Sequence, residues 1–166
     1  MNLKRMGKMM LAKFIADQLA HPAGIPGRLA ALTWNRRNDF DTHCMFSIFF
    51  EGYGHQVDIA KSFDDCFEIC KNQPPTVLMI HRCIHNPNDG LDFIRKIRSC
   101  SDIPYFPVIV GWADYPFNRG EKHRHYEVAF EAGANACFGA VFDTTDVLRQ
   151  VETLAANPEA KGLIDR

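Results

Sequence analysis

No Cys-x-x-Cys pair occurs among the six cysteines, so nothing points to a paired-cysteine zinc site or a thioredoxin-like redox motif. Cys66 and Cys70 instead lie one helical turn apart beside Phe63 and Phe67, which suits buried free thiols in a reducing compartment. No stretch approaches a membrane-spanning length. The run Met9-Met10-Leu11-Ala12 is too short for the apolar centre of a signal peptide, and Lys13 and Asp17 follow it. A cytoplasmic protein is expected. Net charge is almost lacking as well, at -1 over 166 residues.

That small net charge conceals a division. Residues 1–37 carry seven Lys/Arg and a single acid, Asp17, giving +6. Residues 38–166 carry twelve basic and nineteen acidic side chains, giving -7. A basic arm on an acidic body can dock on that body, a partner, anionic lipid or nucleic acid. The acidity of the body argues against nucleic acid. A basic helix packs on its own domain or swaps onto a dimer mate more often than it lies on a membrane.

The apolar pattern divides the chain into an arm (1–27), a body (28–158) and a tail (159–166). LKRMGKMMLAKFIADQLA (3–20) has the spacing of an amphipathic helix, and HPAGIPG (21–27) breaks it. Strand and helix patterns then alternate. RLAALTW (28–34) reads as a first strand, although Ala and Leu suit a helix equally. FDTHCMFSIFFEGYG (40–54) is a helix ended by glycine, HQVDIA (55–60) a strand, and SFDDCFEICKN (62–72) a helix opening on serine and acids. TVLMI (76–80) and PVIVGW (107–112) are buried strands separated by the helix LDFIRKIRS (91–99). EKHRHYEVAFEAG (121–133), ANACFGA (134–140) and TTDVLRQVETLAA (144–156) add a helix, a short strand and a last helix. Repeated strand–helix–strand units predict a doubly wound α/β fold. Its ligand crevice lies beyond the C-terminal ends of the strands, where the strand order reverses.

In order and spacing, YGHQVDIAKS, PPTVLMI, NDGLDFIRKIR, PVIVGWA and FEAGANACFGAVFDTTDVLRQV resemble a response-regulator receiver domain over about residues 30–156. The resemblance implies a flavodoxin-like parallel sheet of five strands. It also implies a phosphate-accepting aspartate ending the third strand, an acidic pair after the first strand for Mg²⁺, a Ser/Thr ending the fourth and a Lys after the fifth. The sequence departs from this at every position. Three ways of counting place the acceptor at His81, Arg82 or Cys83, none of them a carboxylate. Arg37 and Asn38 are nearest the expected acidic pair, with Asp39 and Asp41 beside them. Trp112 replaces the Ser/Thr, and Ala140 and Val141 replace the Lys and its usual proline. Arginines where acids belong would repel Mg²⁺, so ordinary aspartyl phosphorylation is not expected. A second resemblance covers residues 13–38, which are similar to the lead-in of some S-adenosylmethionine-dependent methyltransferases. The glycine-rich cofactor loop of those enzymes is missing, since residues 39–60 hold only Gly52 and Gly54.

These observations predict a receiver-like module, without enzymatic activity or cofactor, that binds a protein partner in signalling and forms a homodimer. Arg82 is a candidate built-in cation for the vacated pocket, paired to Asp39 or Asp41; a solvated arginine is the alternative. The connection WADYPFNRGEKHRHY (112–126) is longer than the family usually shows and mixes aromatics with arginine, as recognition surfaces do. Tyr115, Phe117, Arg119 and Tyr126 are its candidate contacts. A different class of function, a small-ligand or metal sensor, would use the same crevice. There His81, Cys83 and His85 form a His-x-Cys-x-His run, with His123 or His125 as a fourth ligand. Without a second ligand pair that signal is weak, and a strand-end histidine, a buried thiol and a loop histidine explain it as well. A cobalamin-binding module echoes the same strands but lacks an evident cofactor histidine before Tyr53.

Overall fold

Val77-Leu78-Met79-Ile80 and Val108-Ile109-Val110 are apolar at every position, the pattern of strands covered on both faces, and they form the middle of the sheet. The computed structural model describes residues 28–32, 47–81, 88–111, 119–138 and 144–163. The elements run β1 (Arg28–Leu32), α1 (described over 47–52), β2 (Gln56–Ala60), α2 (Phe63–Asn72), β3 (Val77–His81) and α3 (Asp89–Ser99). They continue with β4 (Val108–Gly111), α4 (Arg119–Ala132), β5 (Ala136–Phe138), α5 (Thr144–Ala156) and β6 (Gly162–Leu163). The sheet is parallel throughout, in the order β2-β1-β3-β4-β5-β6. RLAAL is therefore a strand, although its composition suits a helix equally. The predicted N-terminal arm (1–27) lies outside the described residues.

Alternation along the strands sorts the helices onto two faces. Leu78, Ile80, Val108, Val110 and Cys137 face one cluster, with Cys66 and Cys70 of α2, Leu91, Ile94 and Ile97 of α3, and Tyr126 and Ala129 of α4. Val77, Met79, Ile109, Ala136 and Phe138 face the other, with Phe49 and Phe50 of α1 and Val147, Leu148, Val151 and Leu154 of α5. Three helices on one face and two on the other make the doubly wound arrangement. The order in which successive strands are added reverses between β1 and β3, so the crevice opens beyond their C-terminal ends.

Five strands are expected from the sequence; among the described residues there are six. The extra one, β6, comes from the predicted tail. After α5 the chain turns at Asn157–Ala160 and runs beside β5, pairing Ala136 with Gly162 and Cys137 with Leu163. Two residues are too few for a periodic signal, and the attachment is made by side chains, as described below.

Local chemistry sets the helix ends. Ser62 is extended (φ -156°, ψ 170°) and its Oγ accepts from the backbone N–H of Asp65 at 3.1 Å. The Asp65 carboxylate in turn accepts from the backbone N–H of Lys61 at 2.8 Å. The first contact satisfies a donor that the first turn leaves over, and the second ties down the residue before the cap. Ser62→Ala is expected to lower the unfolding free energy by about 1 kcal/mol, read as a shifted urea midpoint at constant slope. At the other end of α1, Gly54 takes φ 84° and its N–H bonds the carbonyl of Glu51 at 2.9 Å. No described helix is long and apolar enough to cross a membrane.

Candidate functional site at the strand ends

Four strand ends form the rim of the crevice: Leu32 of β1, His81 of β3, Gly111 of β4 and Phe138 of β5. Register places His81 opposite Gly111 and Gly111 opposite Phe138, with Leu32 one step back opposite Ile80. None of the four is a carboxylate. The Phe138 ring lies over Gly111 so closely that a Cβ added there would stand 2.6 Å from Cζ and 2.9 Å from Cε2. The ring is 6% exposed and belongs to the α1/α5 cluster. The rim beside β4 and β5 is therefore closed by an aromatic wall over a glycine.

His81 is the last residue of β3, the place where the counted acceptor position falls along that strand. Arg37, Asn38, Asp39, Asp41, Arg82, Cys83, His85, Trp112, Tyr115, Phe117 and Ala140 lie outside the described residues. Because β1 closes at Leu32, the residues that follow it directly are Thr33 and Trp34. Neither is acidic. Among the described residues, no group of three His, Cys, Asp or Glu could hold a metal ion.

The expected contact surface after β4 changes in two respects. Residues 119–126 belong to α4, which Arg119 opens, so the connection proper is 112–118. Tyr126 is 6% exposed and packed in the core with Ala129 and Ala132, so it is not the surface aromatic expected from its charged neighbours. Its spacing of three and six residues from those two small side chains places it on the helix face toward the sheet. His125 is half-buried on the same helix.

Sequence reasoning missed a polar cluster at the opposite end of the strands. Asn135, just before β5, is fully buried. Its Oδ1 accepts from the backbone N–H of Val108 at 3.1 Å and from the Arg98 guanidinium at 3.3 Å. Its Nδ2 donates to the Tyr105 hydroxyl at 2.7 Å and to the carbonyls of Pro158 and Ala160 at 2.9 and 3.3 Å. Arg98 also donates to the carbonyl of Phe106 at 2.8 Å and, from Nε and Nη2, to that of Gly133 at 3.1 and 3.0 Å. Its guanidinium stacks 4.5 Å from the Tyr105 ring centre. Burial draws the Arg98 pKa below its ordinary value. The only sequence signal was one Asn within the apolar stretch GANACFGA.

The thiols behave as buried core groups. The hydrogen bond that Cys66 shares with Cys70, together with burial, holds the Cys66 thiol well above the ordinary range. Cys137 is pushed up to about 12 by burial, against the pull of Lys161. Cys66, Cys70, Cys100 and Cys137 are all free.

A parallel sheet in the order β2-β1-β3-β4-β5, with helices divided between its faces, is an architecture that can be compared with solved structures. The fold is that of a response-regulator receiver domain. The receiver domain of Francisella response regulator 1452 is similar at a TM-score of 0.64 and 14% identity, over 80% of this chain and 98% of that one. A response regulator from Thermotoga maritima is similar at 0.63 and 17%, over 80% of this chain and all of that one. NtrX from Brucella abortus is similar at 0.62 and 13%, but this chain spans only 27% of its length. At such identities the likeness is one of fold. No family model matches the sequence, and no curated protein does. Within the receiver fold, β6 extends the sheet beyond the five strands expected.

Proposed function

We propose that the chain is a receiver-fold signalling module that acts by binding a protein partner and does not use aspartyl phosphorylation. The observation that carries this reading is the end of β3: the strand closes on His81, opposite Gly111, and is followed by Arg82 and Cys83. Phosphoryl transfer to a receiver needs a carboxylate nucleophile there and a Mg²⁺ ion to neutralise the incoming group. Mg²⁺ in turn needs hard oxygen ligands beside it. Thr33 and Trp34 follow β1, with Arg37 and Asn38 further on; Trp112 and Ala140 stand where the resemblance calls for a hydroxyl and a lysine. The partner contacts are Tyr115, Phe117 and Arg119 on the α4 side, and the module is a homodimer in a cytoplasmic pathway. It has no catalytic activity of its own.

The test is an intact-mass spectrum after incubation with acetyl phosphate and Mg²⁺, beside untreated protein. No phosphoryl adduct is expected. A stoichiometric adduct would overturn the proposal, and mapping it to His81, Asp39 or Asp89 would show which group had taken over the chemistry.

A further inference from the structure

We propose that residues 157–163 are a strap that opens from β5 as a unit, with the Asn135 side chain as its latch. Among its described side chains apolar burial is small: Asn157, Pro158, Glu159 and Lys161 are exposed, and Ala160 is half-buried against the α1/α5 cluster. Polar contacts hold it instead. Asn135 Nδ2 donates to the carbonyls of Pro158 and Ala160, and the Tyr105 hydroxyl donates to Pro158 at 3.3 Å. Lys161 Nζ donates to the carbonyl of Ala134 at 2.8 Å, and the Gly162 N–H donates to that of Asn135 at 2.9 Å. Each such bond replaces one to water at small net gain, whereas β3 and β4 are held by fully buried apolar side chains. A segment attached in this way opens below the threshold of global unfolding.

The latch has a second hand. The carboxamide that donates to the strap also accepts from Val108, the first residue of β4, and from Arg98 near the end of α3. The position of the strap is thus felt at the α3–β4 corner. Opening also uncovers the free side of β5, where Cys137 is the register partner of Leu163.

Hydrogen exchange of the parent protein and of Asn135→Asp tests this. Aspartate keeps an acceptor for Val108 and Arg98 but sets an oxygen against the carbonyls of Pro158 and Ala160. In the parent, the Gly162 amide is expected to exchange at least about 100-fold faster than that of Leu78, which bonds the carbonyl of Pro107 in the core. Asn135→Asp should speed Gly162 by about tenfold or more, while Leu78, which opens only with the whole fold, rises by no larger a factor, so that Gly162 stays at least about 100-fold the faster of the two. If that variant does not fold, Tyr105→Phe and Lys161→Met each remove one attachment and should speed Gly162 with its lead over Leu78 kept, with alkylation of Cys137 rising in step. The proposal is overturned if Gly162 and Leu78 exchange together in the parent, or if the folded variants leave Gly162 at its parent rate.

Discussion

Replacing Arg98 by leucine is expected to lower the unfolding free energy by about 3 kcal/mol, measured by urea titration. The guanidinium ties together three segments: the end of α3, the carbonyl of Phe106 before β4 and the carbonyl of Gly133 after α4. Hydrogen bonds from a charged donor contribute roughly 1.5–3 kcal/mol each. Part of that is offset because leucine does not have to be desolvated as a cation. The remainder is the cost of leaving carbonyls without a donor where the chain is packed. Gly133 sits at φ 104°, and an added Cβ there would lie 2.9 Å from Cγ of Arg98, so the arginine stem and the helix end are fitted to one another. Arg98→Lys should recover less than half of the loss, because a lysine cannot reproduce the planar fork. Equal stability of the lysine and arginine forms would show that charge alone, without geometry, is what the corner needs.

The second large effect is expected at Gly111. Valine there should cost about 3 kcal/mol, since its side chain enters the space of the Phe138 ring. The ring has nowhere to retreat, because it is buried against the α1 and α5 side chains. Phe138→Leu alone should cost about 1 kcal/mol and, combined with Gly111→Val, should recover roughly half of the valine penalty. Additive losses in that double-mutant cycle would mean that Gly111 is needed for its backbone and not for the space it leaves. The pair lies on the rim of the crevice, so the combined variant also tests whether opening the aromatic wall alters partner binding.

Much of the architecture was legible because the signals were redundant. Val77–Ile80 of β3 and Val108–Val110 of β4 are apolar at every position, Ser62 followed by acids marks the start of α2, and Gly54 and Gly133 mark two helix ends at positive φ. The misses have physical causes. Tyr126 sits among Arg124, His125 and Glu127, and only its spacing to Ala129 and Ala132 reveals that it points inward. β6 is two residues long and owes its place to Asn135, Tyr105 and Lys161, which are distant in sequence. A cluster that joins positions 98, 105, 135 and 158 has no local pattern to read. Of the candidate site, sequence reading placed His81 at the end of β3, where the strand does close. The acidic-pair position, read at Arg37 and Asn38, lies outside the described residues, which resume at 47.

The strand order also bears on how the chain assembles as it is synthesised from its N-terminus. β1 and β2 can pair first, and β3 then joins the free side of β1, so residues 28–81 already contain three neighbouring strands. From there β4, β5 and β6 each add to the edge left by the strand before. None of the described strands has to insert between two that are already joined, and among them only one edge awaits the next segment at every stage of growth. A parallel sheet, whose pairings are all long-range and slow to form, is in this way built outward in the order of translation.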